Sequence, residues 1–362
     1  MQPLRTIIIG VGAGIFPWHQ TALSNTPFTI VGVTDVNATV GQQRAEELGC
    51  PYFPDHRTLL AETRPDVATI ITPHPFHAPL AIDCLNAGVH VLVEKPLSVT
   101  VADGDAMIEA ARRNQRLLTV SFQNRFRAEA LAAKQWIASG KLGEIQHVQM
   151  TALWPRTAVY FNQSVWRGTW KGEGGGILMN QSPHNLDMLC HLAGMPSRVY
   201  GITRTNFHKI ETEDTATALL EWSNGAQGML HVSTAETGIK ERLEIVGTNG
   251  VLSLTPGALE VKGFERDIRQ FLVESDNPYA GPEILTQEVE LPEGKADHTH
   301  VYTNFYNAIT QGHPLMTDGI EALMSLELAN AITLSSHLGQ PVEIPISRTQ
   351  YSSLLNKLKA QS

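Results

Sequence analysis

Within the first 122 residues, unbroken runs of β-branched and apolar residues alternate with stretches of helical period. The runs are Thr6–Gly10, Thr29–Asp35, Val67–Thr72, His90–Lys95 and Arg116–Phe122, with a short one at Pro51–Phe53. They are apolar on successive residues, as strands covered on both faces require. Helical stretches are expected at Thr39–Leu48, His56–Glu62, Ala78–Ala87 and Val101–Asn114. Gly49 and Gly88 follow two of these, where a left-handed cap is needed. Strand–helix repetition of this kind has few ways to close a core. The expected fold is an open parallel sheet with helices on both faces.

Beyond Phe122–Phe126 the pattern changes. After a helix at Ala128–Ser139 come period-two runs at Ile145–Leu153, Arg198–Asn206, Thr215–Trp222, Ala226–Ala235, Arg242–Val246 and Val251–Leu254. Asn224-Gly225 and Asn249-Gly250 read as hairpin turns. This half is expected to be an antiparallel sheet in an α+β domain, with helices near Val301–Gln311 and Gly319–His337 and a surface excursion at Gly263–Asp297. At roughly 150 residues per domain, 362 residues suit the resulting division into 1–123 and 124–362.

Composition narrows the function. The net charge is −9 and no dense Lys/Arg run occurs. That argues against a nucleic-acid binder or a polybasic membrane anchor. No apolar run reaches about 18 residues, so no membrane-spanning helix is expected. The stretch Thr6–Phe16 has the apolar character of a secretory leader, but it carries internal glycines and bulky Pro17-Trp18-His19 follow, so no leader is expected. Cys50, Cys84 and Cys190 are odd in number and form no CxxC. They read as buried thiols of a reducing cytoplasm.

The first strand runs into Gly10-Val11-Gly12-Ala13-Gly14-Ile15, a partial G-x-G-x-x-G turn with Ile15 at its third position. Such a turn sets phosphates over the first amides of the next helix. Asp35 ends the second strand, with no Arg after it. An acid there accepts hydrogen bonds from both ribose hydroxyls and repels a 2′-phosphate, which favours NAD over NADP; its alternative role is a cap or turn. Ligands of open α/β sheets lie beyond the carboxyl ends of the strands. Two further strand ends face that crevice, Thr72-Pro73-His74-Pro75-Phe76-His77 and Glu94-Lys95-Pro96. His74 and His77 fit no common metal spacing, and no metal is expected. Lys95 is either a residue held in the crevice or one that snorkels off the sheet edge.

The second dense region is Trp166-Arg167-Gly168 through Gly174-Gly175-Gly176 to Asn180, Ser182-Pro183-His184 and Asp187. Three consecutive glycines let backbone approach a ligand closely. Asn180, His184 and Asp187 share one face of a helix if the helix runs through all three. Alternatively a helix begins with Ser182 as cap and Pro183 at its first position.

Together these motifs, with Phe122-Gln123-Asn124-Arg125-Phe126 and the closing Ser325-Leu326-Glu327-Leu328, resemble the Gfo/Idh/MocA oxidoreductase family over essentially the whole chain. The resemblance implies a Rossmann domain followed by an open-faced antiparallel sheet domain. It implies that Gly10, Gly12, Gly14, Ile15, Asp35, Thr72, Pro73, His77, Glu94, Lys95 and Gln123 hold NAD. It places Lys95 beside the nicotinamide and the substrate hydroxyl and makes His184 the acid/base. Four residues before that histidine the family often has Asp; here it is Asn180, which removes one negative charge and supplies an amide that can donate or accept.

The implied activity is NAD-dependent oxidation of a secondary ring alcohol of a sugar, sugar acid, nucleotide-linked sugar or inositol. His184 is the expected general base, because an ordinary imidazole titrates near pH 6.5. Lys95 would stabilise alkoxide charge, or act as base itself if burial depresses its pKa. Asn180 positions substrate. Asp187 either orients His184 or sits on the helix surface. Arg125, Arg167 and Trp166 are candidate substrate residues, the arginines reading a carboxylate or phosphate unless they form interdomain ion pairs. His300 caps a late helix or reaches the pocket; His147 and His231 belong to sheet faces. Two other classes compete: a lyase or glycosidase that oxidises its sugar transiently, and a non-catalytic regulator that binds dinucleotide or sugar. The sheet face needing cover predicts a homodimer or homotetramer.

Overall fold

The computed structural model describes residues 2–361. Its first strand, β1 (Leu4–Ile9), buries four successive residues from Thr6 to Ile9, as a strand covered on both faces must. β2 (Phe28–Thr34), β3 (Tyr52–Phe53), β4 (Val67–Ile70), β5 (His90–Val93) and β6 (Leu118–Val120) complete a parallel six-stranded sheet of order β3-β2-β1-β4-β5-β6. Helices α1 (Phe16–Ser24), α2 (Ala38–Leu48), α3 (His56–Thr63), α4 (His77–Asn86) and α5 (Val101–Arg113) make the crossovers. Local chemistry sets their ends. Asn37 caps α2 by accepting from the Val40 amide, and Gly49 closes it with φ 65°, a conformation that L side chains avoid. The strand order reverses between β1 and β4, which opens the crevice where open α/β sheets bind ligands.

The second sheet has nine strands: β7 (Ile145–Leu153), β8 (Arg198–Arg204), β9 (Thr215–Glu221), β10 (Gln227–Ser233), β11 (Arg242–Gly247), β12 (Gly250–Thr255), β13 (Ala258–Phe264), β14 (Ile284–Gln287) and β15 (Val342–Glu343). Both Asn-Gly dipeptides turn hairpins, between β9 and β10 and between β11 and β12. Helices α6 (Ala128–Ala138), α7 (Ala158–Asn162), α8 (Pro183–Ala193), α9 (Ile268–Glu274), α10 (His298–Gln311), α11 (Gly319–Leu338) and α12 (Arg348–Gln361) complete the chain.

Three expectations need correction. The sheet is not wholly antiparallel: β10 runs parallel to β7, with Leu230 opposite Met150. The long connection through α7 and α8 lands β8 three strands away, and the β8–β9–β10 meander returns to β7 in the same direction. The excursion at 263–297 is partly ordered as α9 and β14. Finally, the second segment does not stay in its own body. Val301, Tyr302, Phe305 and Tyr306 of α10 join a core cluster with Ile8, Val11 and Phe16 on one face of the Rossmann sheet. On the other face one continuous core runs from Ile7 and Val91 through Met179 and Leu189 to Leu326. Buried apolar contact of this extent fixes the crevice between the two sheets. No helix among the described residues is long and apolar enough to cross a membrane.

Candidate active site

The glycine loop leaves β1 at Gly10, whose φ of 99° carries the chain over the sheet edge. A side chain here would also press on Thr72. Asp35 reaches back to this loop: its Oδ2 accepts from the Gly12 amide at 2.7 Å and its Oδ1 from the Asn37 amide at 2.9 Å. It therefore shapes the loop whether or not it also meets a ribose; the cap of α2 is Asn37 instead. Nothing lies within 4 Å of where a Gly14 side chain would begin. Ile15 packs half-buried against the α10 cluster. The buried Oγ1 of Thr72 and Oε1 of Gln123 have no hydrogen-bond partner. Open backbone at Gly14 and unpaired polar atoms at two strand ends fit a dinucleotide laid across them.

Two expected cofactor residues, His77 and Glu94, make hydrogen bonds within the protein. The ring of His77 sits between the carbonyls of Thr72 and Pro96, each 2.8 Å from a ring nitrogen, with the one N–H of the neutral ring donating to one of them. It ties the two strand-end loops together and has no nitrogen left for a ligand. The Glu94 carboxylate is buried and receives His19 Nε2 at 3.0 Å and His298 Nε2 at 3.3 Å on one oxygen. Burial pushes its pKa up, but the two imidazoles win and hold it well below the usual carboxylate range. The other His19 nitrogen meets the Tyr302 hydroxyl at 2.9 Å, so this cluster locks α1 and α10 onto the end of β5. His19, Glu94 and His298 have the ligand atoms of a metal site within 4.8 Å of one another. Two of those separations are hydrogen-bond distances, and the cluster is closed on itself.

Lys95 follows Glu94 and points across the crevice. Its Nζ donates to the backbone oxygen of Asn180 at 2.8 Å. Burial lowers its pKa, as do Arg167 and Arg156, while Glu94 and Glu173 oppose. His184 opens α8, and its Nδ1 is buried without a partner. Burial, then the Lys95 charge, push it down to about 3. Its surroundings therefore favour the uncharged ring more strongly than those of an ordinary imidazole.

The helix begins at Pro183, so Asn180 precedes it and is not on its face. The Asn180 amide nitrogen donates to the carboxylate of Glu173, a residue 2% exposed. Asp187 neither orients His184 nor lies on the surface. It is 1% exposed and holds Arg125 through two hydrogen bonds of 2.9 and 2.7 Å. Arg125 gives its Nη1 donors to the Met316 carbonyl and Glu321. Burial alone would lower the guanidinium pKa, but the two carboxylates raise it. Arg125 is thus held in ion pairs within the second segment, tying the chain after β6 to α8 and α11. The three glycines also have a different role from the one expected. Side chains at Gly174, Gly175 and Gly176 would collide with Val99, Met179 and the Glu213 carbonyl, so the run exists for close protein packing.

Arg167 remains at the cleft. Its guanidinium lies 4.3 Å from the Tyr160 ring centroid and 4.7 Å from that of Trp166, and its buried Nε is unpaired. Trp166 in turn meets His74 edge to face. His300 makes the capping contact, with its amide and Nδ1 both on Asp297. His147 and His231 lie on β7 and β10. Sequence reasoning missed Glu173, Arg156, His19, His298 and Glu241, which pairs with Arg127 at 3.9 Å beside His184. Only Glu173 had a signal, its place just before the glycines.

Both segments of the chain match a known protein family. Residues 4–122 match the oxidoreductase family with an NAD-binding Rossmann fold, and residues 130–253 match the GFO/IDH/MocA C-terminal domain. D-glucoside 3-dehydrogenase of Escherichia coli (strain K12) is 29% identical over 227 residues, 61% of this chain and 62% of that protein, less than two thirds of its length. Myo-inositol 2-dehydrogenase of Thermotoga maritima is 26% identical over 257 residues, 68% and 74% of the two chains. The WlbA dehydrogenase from Bordetella pertussis, solved with NADH and UDP-GlcNAcA, superposes with a TM-score of 0.81 at 28% identity, over 96% of this chain and 99% of that one.

Proposed function

The chain belongs to the Gfo/Idh/MocA oxidoreductase family, and we propose that it oxidises a secondary ring alcohol of a sugar, sugar acid or inositol with NAD. The observation that carries this reading is the meeting of Lys95, Asn180 and His184 at the carboxyl end of the Rossmann sheet, beside an open glycine loop. Gly10–Ile15, Asp35, Thr72 and Gln123 would hold the dinucleotide, with NAD favoured by the acid at Asp35. The nicotinamide, when bound, takes up the hydride from the carbinol carbon.

The protein's own task is the proton. As the carbon loses hydride and becomes a carbonyl, the hydroxyl proton must go to a base. Lys95 suits that role: burial lowers its pKa toward neutrality, the usual device for making an amine a base. His184, pushed down to about 3, is a poor acceptor. Its Nδ1 is bare, and a neutral ring carrying its proton on Nε2 would donate to the substrate oxygen. Asn180 positions the ring. Arg167, stacked on two aromatic rings with Nε unpaired, suits a carboxylate or phosphate on the substrate. Trp166 forms the apolar wall next to it. We place the enzyme in the cytoplasm on its three free thiols. We also place a homodimer or homotetramer contact on the open sheet face, where Tyr200, Ile202 and Leu219 are exposed.

The test is near-ultraviolet absorbance of reduced nicotinamide with NAD or NADP and a panel of glucosides, sugar acids and inositols. The expected result is a signal with NAD that Lys95→Ala abolishes and His184→Ala reduces. Sugar products formed without net reduced nicotinamide would point instead to transient oxidation.

A further inference from the structure

The neutral side chain of Asn180 is backed by the buried carboxyl of Glu173. We propose that Glu173 supplies negative charge from behind Asn180 and fixes the amide so that its side-chain oxygen, not its nitrogen, faces the substrate. This rests on the dehydrogenase reading above for what the site binds.

The argument is one of donors and acceptors. The Asn180 side-chain nitrogen donates to Glu173, which leaves the side-chain oxygen to accept. The second carboxylate oxygen of Glu173 takes the Gly168 amide, so neither oxygen can turn away. The Glu173 backbone oxygen receives His74 Nδ1 at 3.1 Å, from the loop that follows β4. Burial and Lys95 keep His74 uncharged, with its pKa pushed down to about 3, so this contact is a neutral N–H donating to a carbonyl. On the far side, the Asn180 backbone oxygen receives Lys95 Nζ. Glu173 is thus anchored to both domains, and residue 180 is held from two directions. The atom of its side chain left for a ligand is an acceptor, suited to a sugar hydroxyl. Burial pushes the Glu173 carboxyl up, the Gly168 amide, the Asn180 amide, Arg167 and Lys95 oppose it, and the buried Glu213 carboxyl feels its charge; the charged groups acting on Lys95 are Glu94, Glu173, Arg167 and Arg156. Removing the Glu173 charge removes a group that holds the Lys95 proton.

The pairing is reciprocal, which makes it testable. An aspartate at 180 would face Glu173 oxygen to oxygen, and carboxylates in contact cannot both ionise. A glutamine at 173 cannot accept from both Asn180 and Gly168 without turning its amide against one of them. Exchanging both restores every bond: the glutamine amide donates to the new carboxylate and its oxygen accepts from Gly168. The charge then sits at 180 instead of 173.

The experiment compares wild type, Glu173→Gln, Asn180→Asp and the double variant by thermal melting at pH 5 and pH 8 and by kcat/KM across pH. Each single variant is expected to lose about tenfold or more in kcat/KM, the scale of a misplaced positioning group. Asn180→Asp is expected to melt several degrees lower at pH 8 than at pH 5, where the pair can share a proton. In Glu173→Gln the limb of the pH profile governed by Lys95 should move toward acid, an effect that loss of packing alone would not produce. The double variant should recover kcat/KM, melting temperature and the limb together. Additive losses with no recovery would overturn the pairing. Recovery in melting without recovery in kcat/KM would overturn the positioning role. Failure of the dehydrogenase reading is distinguishable, since wild type would then be silent on the sugar panel while the melting cycle still decided the pairing.

Discussion

Two glycine-rich segments border the crevice, and they are glycine-rich for opposite reasons. In the loop after β1, Gly14 faces open space, with nothing within 4 Å of its missing side chain. In the run before α8, a side chain on Gly176 would begin 1.8 Å from the Glu213 carbonyl oxygen, and one on Gly174 would begin 2.1 Å from Val99. The first segment keeps its backbone bare for a ligand. The second is bare so that the loop carrying Asn180 and leading into α8 can press into its own protein. Glu213 completes that packing by accepting from the Gly176 and Leu178 amides. A glycine-rich segment in a crevice is therefore not by itself a ligand contact; what lies over the missing Cβ decides.

The strongest way to break this contrast is to put alanine in each segment. Gly176→Ala forces backbone against backbone, and is expected to cost about 3 kcal/mol or more, as large overpacking does. Gly14→Ala should melt within about 0.5 kcal/mol of wild type but bind NAD about tenfold more weakly if phosphates lie over that amide. Fluorescence-detected melting and NADH titration measure both. A Gly176→Ala protein that melts like wild type would end the contrast.

Next in size is the separation of chemistry from folding within the second segment's contacts. Lys95→Ala is expected to lower turnover by about 100-fold or more. Its melting temperature should hold, because the lysine donates only to a backbone oxygen. Arg125→Met should do the reverse in the first instance, lowering stability by about 3–5 kcal/mol because Asp187 is left buried and unpaired. A Lys95→Ala protein that turns over normally, or an Arg125→Met protein of unchanged melting, would contradict the assignment.

How much of this was visible beforehand follows from how local each cause is. The parallel sheet, the glycine turn and the Gly49 cap depend on neighbouring residues, and they were legible. The resemblance also pointed to Lys95, Asn180 and His184 before any contact was known. What stayed hidden was what each side chain touches. Asp187 pairs with Arg125 across 62 positions, and Arg125 meets Glu321 across 196. His298 reaches Glu94 across 204. Helical spacing suggested one face for Asn180, His184 and Asp187, yet the helix starts after the first of them and the other two have unrelated environments. Composition could not show that β7 and β10 would lie parallel, because that depends on where a long connection lands.

Smaller effects sharpen the picture on the cofactor side. Asp35→Ser removes the acceptor facing Gly12 and the repulsion of a 2′-phosphate. It should raise the NAD dissociation constant about tenfold, near 1.4 kcal/mol, and narrow the preference over NADP. The smallest signal is an absence of change. Burial and the Lys95 charge hold His184 at about 3, so its imidazole resonances should not titrate between pH 8 and pH 5. As a buried neutral imidazole it contributes stability above the unfolded value near 6.5 that is lost as pH falls toward 3. A resonance titrating near 6.5 would return the role of base to His184.

The most direct test of the central claim follows the hydride. The protein is incubated with NADH carrying deuterium at C4 and with chemically prepared keto forms of glucosides, sugar acids and inositols, and the products are read by mass spectrometry. The account predicts one deuterium on a single ring carbon of the reduced sugar, absent with Lys95→Ala. NADH that binds normally but delivers no deuterium to any member of the panel would contradict it.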